Sequence, residues 1–246
     1  MTNLQGRRAL VTGASRGIGA AIVRRLAADG AAVAFTYGRS VEEAKQLVAD
    51  VAAEGGTAVA LQADSADAAQ VAKSVDDAVA ELGGLDILVN NAGVAILGDV
   101  ETFATDDFEQ LVAVNIRAVF VAIQQALQHL GDGGRIINIG SINAERVPVA
   151  GLSVYAMTKG AVAGLSRGLA RDLGPKGITV NNIQPGPIAT EMNPETGEFA
   201  DSMKAIMAID RYGQPRDVAS AVSFLAGPEA SYITGAQWNV DGGFGV

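Results

Sequence analysis

The sequence predicts one doubly wound α/β domain over residues 1–246, a seven-stranded parallel sheet flanked by helices. Three observations carry this. Short apolar runs alternate with helical patterns along the chain. Several of those runs lack polar alternation, as expected where helices cover both faces of a sheet. No repeat, low-complexity tract or linker divides the chain.

Strands are expected at 8–12, 32–37, 57–62, 87–90, 135–139, 179–184 and 237–240, and helices at 17–29, 41–54, 67–82, 105–130, 154–173 and 215–225. The segment 186–214 breaks the rhythm with Pro and Met residues and holds only a short helix near 201–208. Ligands of open α/β sheets sit beyond the carboxyl ends of the strands. An insert after the sixth strand therefore reads as a substrate lid.

The 246 residues are 49% hydrophobic with a mean hydropathy of +0.24, enough for a sizeable core. Net charge is −9, and the 18 Lys and Arg are scattered, which argues against a nucleic-acid polymer or an anionic membrane as partner. Without cysteine there are no disulfides, thiolate nucleophiles or Cys-based metal sites, and no His/Asp/Glu cluster has metal-ligand spacing. No apolar stretch suits a signal peptide or a bilayer span, so a cytoplasmic protein is expected. The one histidine, His129, reads as a helix C-terminal cap, and Trp238 as a buried or interface aromatic.

Thr12-Gly13-Ala14-Ser15-Arg16-Gly17-Ile18-Gly19 joins the first strand to the first helix. Glycine permits a tight turn and close approach of a phosphate, and a helix N-terminus offers free N–H groups and partial positive charge. Placed here, the turn reads as the phosphate loop of a Rossmann-type dinucleotide site.

Tyr155 and Lys159 are four residues apart, hence on one face of the helix at 154–173. An isolated phenol, with a pKa near ~10, exchanges protons poorly at neutral pH. An ammonium beside it favours the phenolate, so the pair can pass a proton to or from a carbonyl oxygen. Ser141 follows the fifth strand, where its hydroxyl suits an oxyanion donor. Asn115 lies inside the helix 105–130, either functional or as a structural amide that kinks it. A hydrolase is excluded, because Gly140-Ser141-Ile142 lacks a nucleophile elbow and no histidine follows.

The glycine turn, the set Asn115, Ser141, Tyr155 and Lys159, the run Asn90-Asn91-Ala92-Gly93 and Pro185-Gly186 together resemble the short-chain dehydrogenase/reductase family over the whole chain. The resemblance implies hydride transfer between NADP(H) and the carbonyl or alcohol of a small substrate, as in 3-oxoacyl-reductase-like carbonyl reductases. It implies Tyr155 as general acid/base, Lys159 on the nicotinamide ribose and tuning Tyr155, Ser141 on the substrate oxygen, and Asn115 holding a relay water. Cofactor contacts are implied for Gly13, Ser15, Arg16, Gly17, Ile18, Gly19, Tyr37, Arg39, Ser40, Asp64, Ser65, Asn91, Ala92, Gly93, Tyr155, Lys159, Pro185, Gly186, Ile188 and Thr190. Among these, Asp64 takes the adenine amine, while Ile188 and Thr190 take the carboxamide.

The second strand closes on Tyr37-Gly38-Arg39-Ser40 without an acid, and Arg16 lies in the turn. Two arginines favour a 2′-phosphate, hence NADP(H) over NAD(H). Ser141, Asn143, Val149, Leu152, Tyr155 and Met192, with Val94, Ile96, Ile142 and Ile188, are expected around a hydrophobic substrate. Relatives acting on acyl carrier protein carry basic residues before the fifth strand and after the catalytic helix. Here the first position is Gly131-Asp132-Gly133-Gly134, and only Lys176 keeps the second. The resemblance also implies a homotetramer built through helices 105–130 and 154–173 and the last strand. Stretches such as Asp64-Ser65-Ala66-Asp67 and Val147-Pro148-Val149-Ala150-Gly151 are similar to a cyclic-di-GMP-binding biofilm-dispersal branch of the family. Cyclic-di-GMP binding is therefore the alternative expectation.

Overall fold

The computed structural model describes residues 3–246. Its seven strands, β1 (Arg8–Val11), β2 (Ala32–Tyr37), β3 (Thr57–Gln62), β4 (Ile87–Asn90), β5 (Arg135–Ile139), β6 (Thr179–Pro185) and β7 (Gln237–Val240), form one parallel sheet in the order β3-β2-β1-β4-β5-β6-β7. All pairings are parallel, with Ala9 opposite Val33 on one side and Ile87 on the other. The expected architecture is thus present.

Both sheet faces are buried, which explains the unbroken apolar strands. Ala9, Val11, Val33 and Phe35 meet α1 (Gly17–Ala28), α2 (Val41–Ala53) and α8 (Pro215–Ala226). Leu10, Ala34, Leu88 and Ile136 meet α3 (Ala68–Leu82), α5 (Ala118–Ala126) and α6 (Ser153–Leu173). Successive side chains of a strand point to opposite faces, so one strand feeds both layers. Phe224 of α8 stacks on Trp238 at 5.5 Å, which makes Trp238 a packing residue.

Most element ends fall within one residue of expectation, and three departures matter for the site or its surroundings. The helix expected over 105–130 is α4 (Thr105–Val112), a π-helical turn (Ala113–Arg117) and α5, which ends at Ala126. An inserted residue widens the helix around Asn115, a feature frequent at functional sites. Asp67 caps α3 from outside it, its side chain accepting from the backbone N–H groups of Ala69 and Gln70. His129 caps no carbonyl with its ring. Its Nε2 lies 3.0 Å from Asp76 Oδ1 on α3.

The segment 186–214 leaves β6 and returns where Ala189 donates to Gly213 at 2.8 Å and Gly213 to Pro187 at 2.9 Å. Between these ties it carries α7 (Glu198–Lys204), earlier than the expected 201–208. Ala200, Met203, Met207 and Tyr212 pack with Ile142 and Phe244 in a small cluster apart from the two main cores. The segment 186–214, the Ser141 loop and the C-terminal tail share that cluster.

Candidate functional site

The strand order reverses between β1 and β4, and a crevice opens there beyond the carboxyl ends of the strands. The glycine turn forms one wall. Gly13 has φ +62°, and a Cβ there would stand 2.7 Å from Ala92 Cα; a Cβ on Gly19 would stand 2.5 Å from Ala14 Cα. Only hydrogen side chains let the turn, the loop after β4 and the start of α1 approach this closely. Thr12 Oγ1 accepts from Asn91 and Ala92 N–H, and Asn91 Nδ2 donates to the carbonyls of Thr12 and Gly13. Among the described residues no side chain caps the N-terminus of α1, and Gly17, Ile18 and Gly19 of its first turn line the crevice, the geometry by which a helix start can hold an anion.

The crevice, of about 1170 Å³, is lined by Gly13, Ser15, Arg16, Gly17, Ile18 and Gly19 from the turn, and by Tyr37, Arg39 and Ser40 after β2. Asp64 and Ser65 follow β3, Asn91, Ala92 and Gly93 follow β4, and Pro185, Gly186, Ile188 and Thr190 follow β6. No acid follows β2 before Ser40, so nothing there repels a phosphate. Ser141, Tyr155, Lys159 and Met192 complete the lining.

Tyr155 and Lys159 share a face of α6, with Lys159 Nζ 5.7 Å from the Tyr155 ring centre. Lys159 is 6% exposed, and its Nζ donates to the Ile139 carbonyl at 3.1 Å, which aims the ammonium at the crevice floor. Ser141 Oγ accepts from Asn143 N–H at 3.1 Å and donates to Asn143 Oδ1 at 3.2 Å. Asn115 sits behind the crevice wall. Its Oδ1 accepts from Val94 N–H at 2.9 Å, and its Nδ2 donates to the Val94 carbonyl at 2.9 Å and to Thr158 Oγ1 at 3.1 Å. The amide therefore splices the loop after β4 to the π-helical turn and to α6. Gly93 lies between: a Cβ there would stand 3.5 Å from both Asn115 Oδ1 and Lys159 Nζ.

Of the remaining expected substrate residues, Val94 and Ile188 line the crevice, whereas Ile96, Ile142, Asn143, Val149 and Leu152 do not. After Ser141 the chain tightens into a 3₁₀ turn, which turns Asn143 back onto Ser141 and buries Ile142 against Phe244. Leu152 is buried at the head of α6, while Val149 is on an exposed rim loop whose Gly151 carbonyl accepts from Gly98 N–H at 3.0 Å. Gln62, Gln70, Glu109, Arg117 and Glu191 line the crevice without having been singled out. Arg16 Nη1 is bound to Glu191 Oε2 at 2.8 Å across the crevice mouth, and Arg117 lies 4.0 Å from Glu109. The acid beside Thr190 was the only sequence signal for the first pair.

The family model described as Enoyl-(Acyl carrier protein) reductase matches residues 13–245. The chain is 49% identical over 241 residues, 98% of each protein, to the cyclic-di-GMP-binding biofilm dispersal mediator protein of Escherichia coli. A solved short-chain dehydrogenase/reductase from Serratia marcescens is 59% identical with a TM-score of 0.97, covering 99% of both chains. A short chain dehydrogenase from Burkholderia cenocepacia in complex with NADP is 53% identical with a TM-score of 0.97, covering 99% of this chain and 100% of that one. With its glycine turn, its Tyr155–Lys159 face and relatives this similar end to end, the chain belongs to the short-chain dehydrogenase/reductase family of oxidoreductases.

Proposed function

We propose that this protein is an NADP(H)-dependent carbonyl reductase, interconverting a ketone and an alcohol on a small hydrophobic substrate. The carrying observation is that Ser141, Tyr155 and Lys159 line the same crevice as the glycine turn. The cofactor fits the residues present. The uncapped N-terminus of α1 suits its pyrophosphate, Arg16, Arg39 and Ser40 its 2′-phosphate, Asp64 and Ser65 its adenine, and Ile188 and Thr190 its carboxamide. A solved relative holds NADP.

The nicotinamide, when bound, supplies or takes the hydride. Tyr155 gives its phenolic proton to the substrate oxygen in reduction and takes one in oxidation. Lys159, fixed on the Ile139 carbonyl, holds its ammonium 5.7 Å from the centre of the Tyr155 ring. Ser141 donates to the oxygen as charge develops on it. Asn115 acts as a clamp, since its amide is engaged by Val94 and Thr158. The segment 186–214, read as a substrate cover, carries exposed Met192 and Phe199. Met192, Val94 and Ile188 line the crevice and favour an apolar substrate there.

Tyr155→Phe tests the reading: NADPH-dependent ketone reduction falls at least ~10³-fold while NADPH affinity stays within about twofold. Equal loss of both would make Tyr155 structural, and retained turnover would end the carbonyl assignment.

The protein is further proposed to be a cytoplasmic homotetramer. Phe108, Phe120 and Met157 leave apolar surface on α4, α5 and α6, and no helix among the described residues is long and apolar enough to cross a membrane. Sedimentation at 25.1 kDa would refute the assembly. The name of the Escherichia coli relative favours a second reading, cyclic-di-GMP binding. Calorimetric titration with that nucleotide discriminates: no heat at ligand levels far above cellular ones removes it.

A further inference from the structure

We propose that Asn143 is a positioning residue that sets the direction of the Ser141 proton, an inference resting on the carbonyl reading above. A hydroxyl has one proton and two acceptor lone pairs. Here the Ser141 proton goes to Asn143 Oδ1, and one lone pair accepts from Asn143 N–H. The remaining lone pair is left for the crevice, which Ser141 lines.

The amide cannot turn freely. Asn143 Nδ2 donates to the Arg146 carbonyl at 2.9 Å, so a flipped amide would set oxygen against oxygen there. Arg146 is braced in turn: its guanidinium donates to the carbonyls of Phe244 and Val246 and lies 5.3 Å over the Phe244 ring. Phe244 is 2% exposed, in the cluster shared by the lid. The C-terminal tail thus holds Arg146, Arg146 holds Asn143, and Asn143 holds the Ser141 proton away from the substrate.

A carbonyl oxygen only accepts hydrogen bonds. It gains the Ser141 donor only when that proton leaves Asn143, and the transition state requires the same rotation. Removing the Asn143 acceptor therefore raises kcat/KM about fivefold, the worth of one neutral hydrogen bond. The rise is equal in both directions, because ketone reduction and alcohol oxidation share a transition state.

The test compares Asn143→Ala with Asn143→Asp, each in the native and Ser141→Ala backgrounds. Kinetics are read in both directions, with ketone binding to the NADP⁺-saturated enzyme and thermal unfolding. Alanine is expected to raise kcat/KM and tighten ketone binding. Aspartate, a stronger acceptor, is expected to lower both. Neither changes ketone binding once Ser141 is gone, and NADPH affinity holds throughout. Losses in both variants, or the same changes without Ser141, overturn the assignment. If Tyr155→Phe leaves ketone reduction intact, the carbonyl reading fails and takes this inference with it; if it abolishes reduction, a failure here concerns Asn143 alone.

Discussion

Gly19 is where a single methyl group should damage both the fold and the cofactor site. A Cβ there would stand 2.5 Å from Ala14 Cα, 2.8 Å from Ala14 Cβ and 2.6 Å from Asn91 Nδ2. Carbon atoms in contact prefer about 3.5–4.0 Å, so α1 and the turn must separate by about 1 Å. Overpacking of this kind costs about 1–3 kcal/mol. Disturbing the Asn91 bonds to Thr12 and Gly13 adds about 1 kcal/mol. Alanine's better helix propensity returns at most about 1 kcal/mol, leaving Gly19→Ala about 1–3 kcal/mol less stable. For a chain of this size that lowers Tm by roughly 3–10 °C. Misplacing the helix start by about 1 Å should weaken NADPH binding at least ~10-fold. Thermal melts and NADPH fluorescence titration measure both. Gly131→Ala is the control, because nothing lies within 4 Å of its Cβ position. A Gly19→Ala protein melting with the native one would refute the packing argument. A lowered Tm with unchanged NADPH affinity would refute the placement of the phosphate.

Arg16→Ala with Arg39→Ala should weaken NADPH at least ~10-fold and NADH little, a difference that shrinks in high salt; equal losses for both cofactors would refute the 2′-phosphate assignment. Asn115→Ala strands the N–H and carbonyl of Val94, and should cost about 2–4 kcal/mol in denaturant unfolding. Tyr212 is 1% exposed with its hydroxyl unpartnered among the described residues, and burial pushes its phenol up. Tyr212→Phe should therefore hold or raise Tm, and a fall would reveal a bond to that hydroxyl. Burial pushes Asp86 up, but the hydrogen bonds from Arg8 and the charges of Arg7 and Arg8 hold its carboxyl below the usual value overall. A depressed folded value gives stability present at neutral pH and lost as pH falls below about 4. Asp86→Asn should cost about 1–2 kcal/mol at pH 7, given the partial exposure of Arg8. Melts at falling pH should show that gap closing toward pH 3.

The strands and most helices were legible because their causes are local. Apolar runs such as Ile87–Asn90 have to be covered on both faces, and Gly13 and Gly19 mark a turn no other residue could make so tightly. The order of Ser141, Tyr155 and Lys159 was legible because one short loop and one helical turn separate them. Asn143 was harder, since a 3₁₀ turn after Ser141 folds it back, and Val149 and Leu152 were harder because an exposed rim loop and burial at the head of α6 place them. Periodicity also could not show the extra residue wound into the helix at Asn115, because it leaves the composition unchanged.

By itself, then, the sequence determined the layered sheet, the tight glycine turn before α1 and the placing of a phenol and an ammonium on one helical face, all set by neighbours a few residues away. Tertiary structure alone decided that Arg16 meets Glu191 across the crevice mouth, that Asn115 is spent on Val94 and Thr158, and that Arg146 grips the C-terminal tail. Those contacts join residues 21 to 175 positions apart. Their partners are chosen by how the elements pack, and packing is a property of the whole chain that no local pattern records.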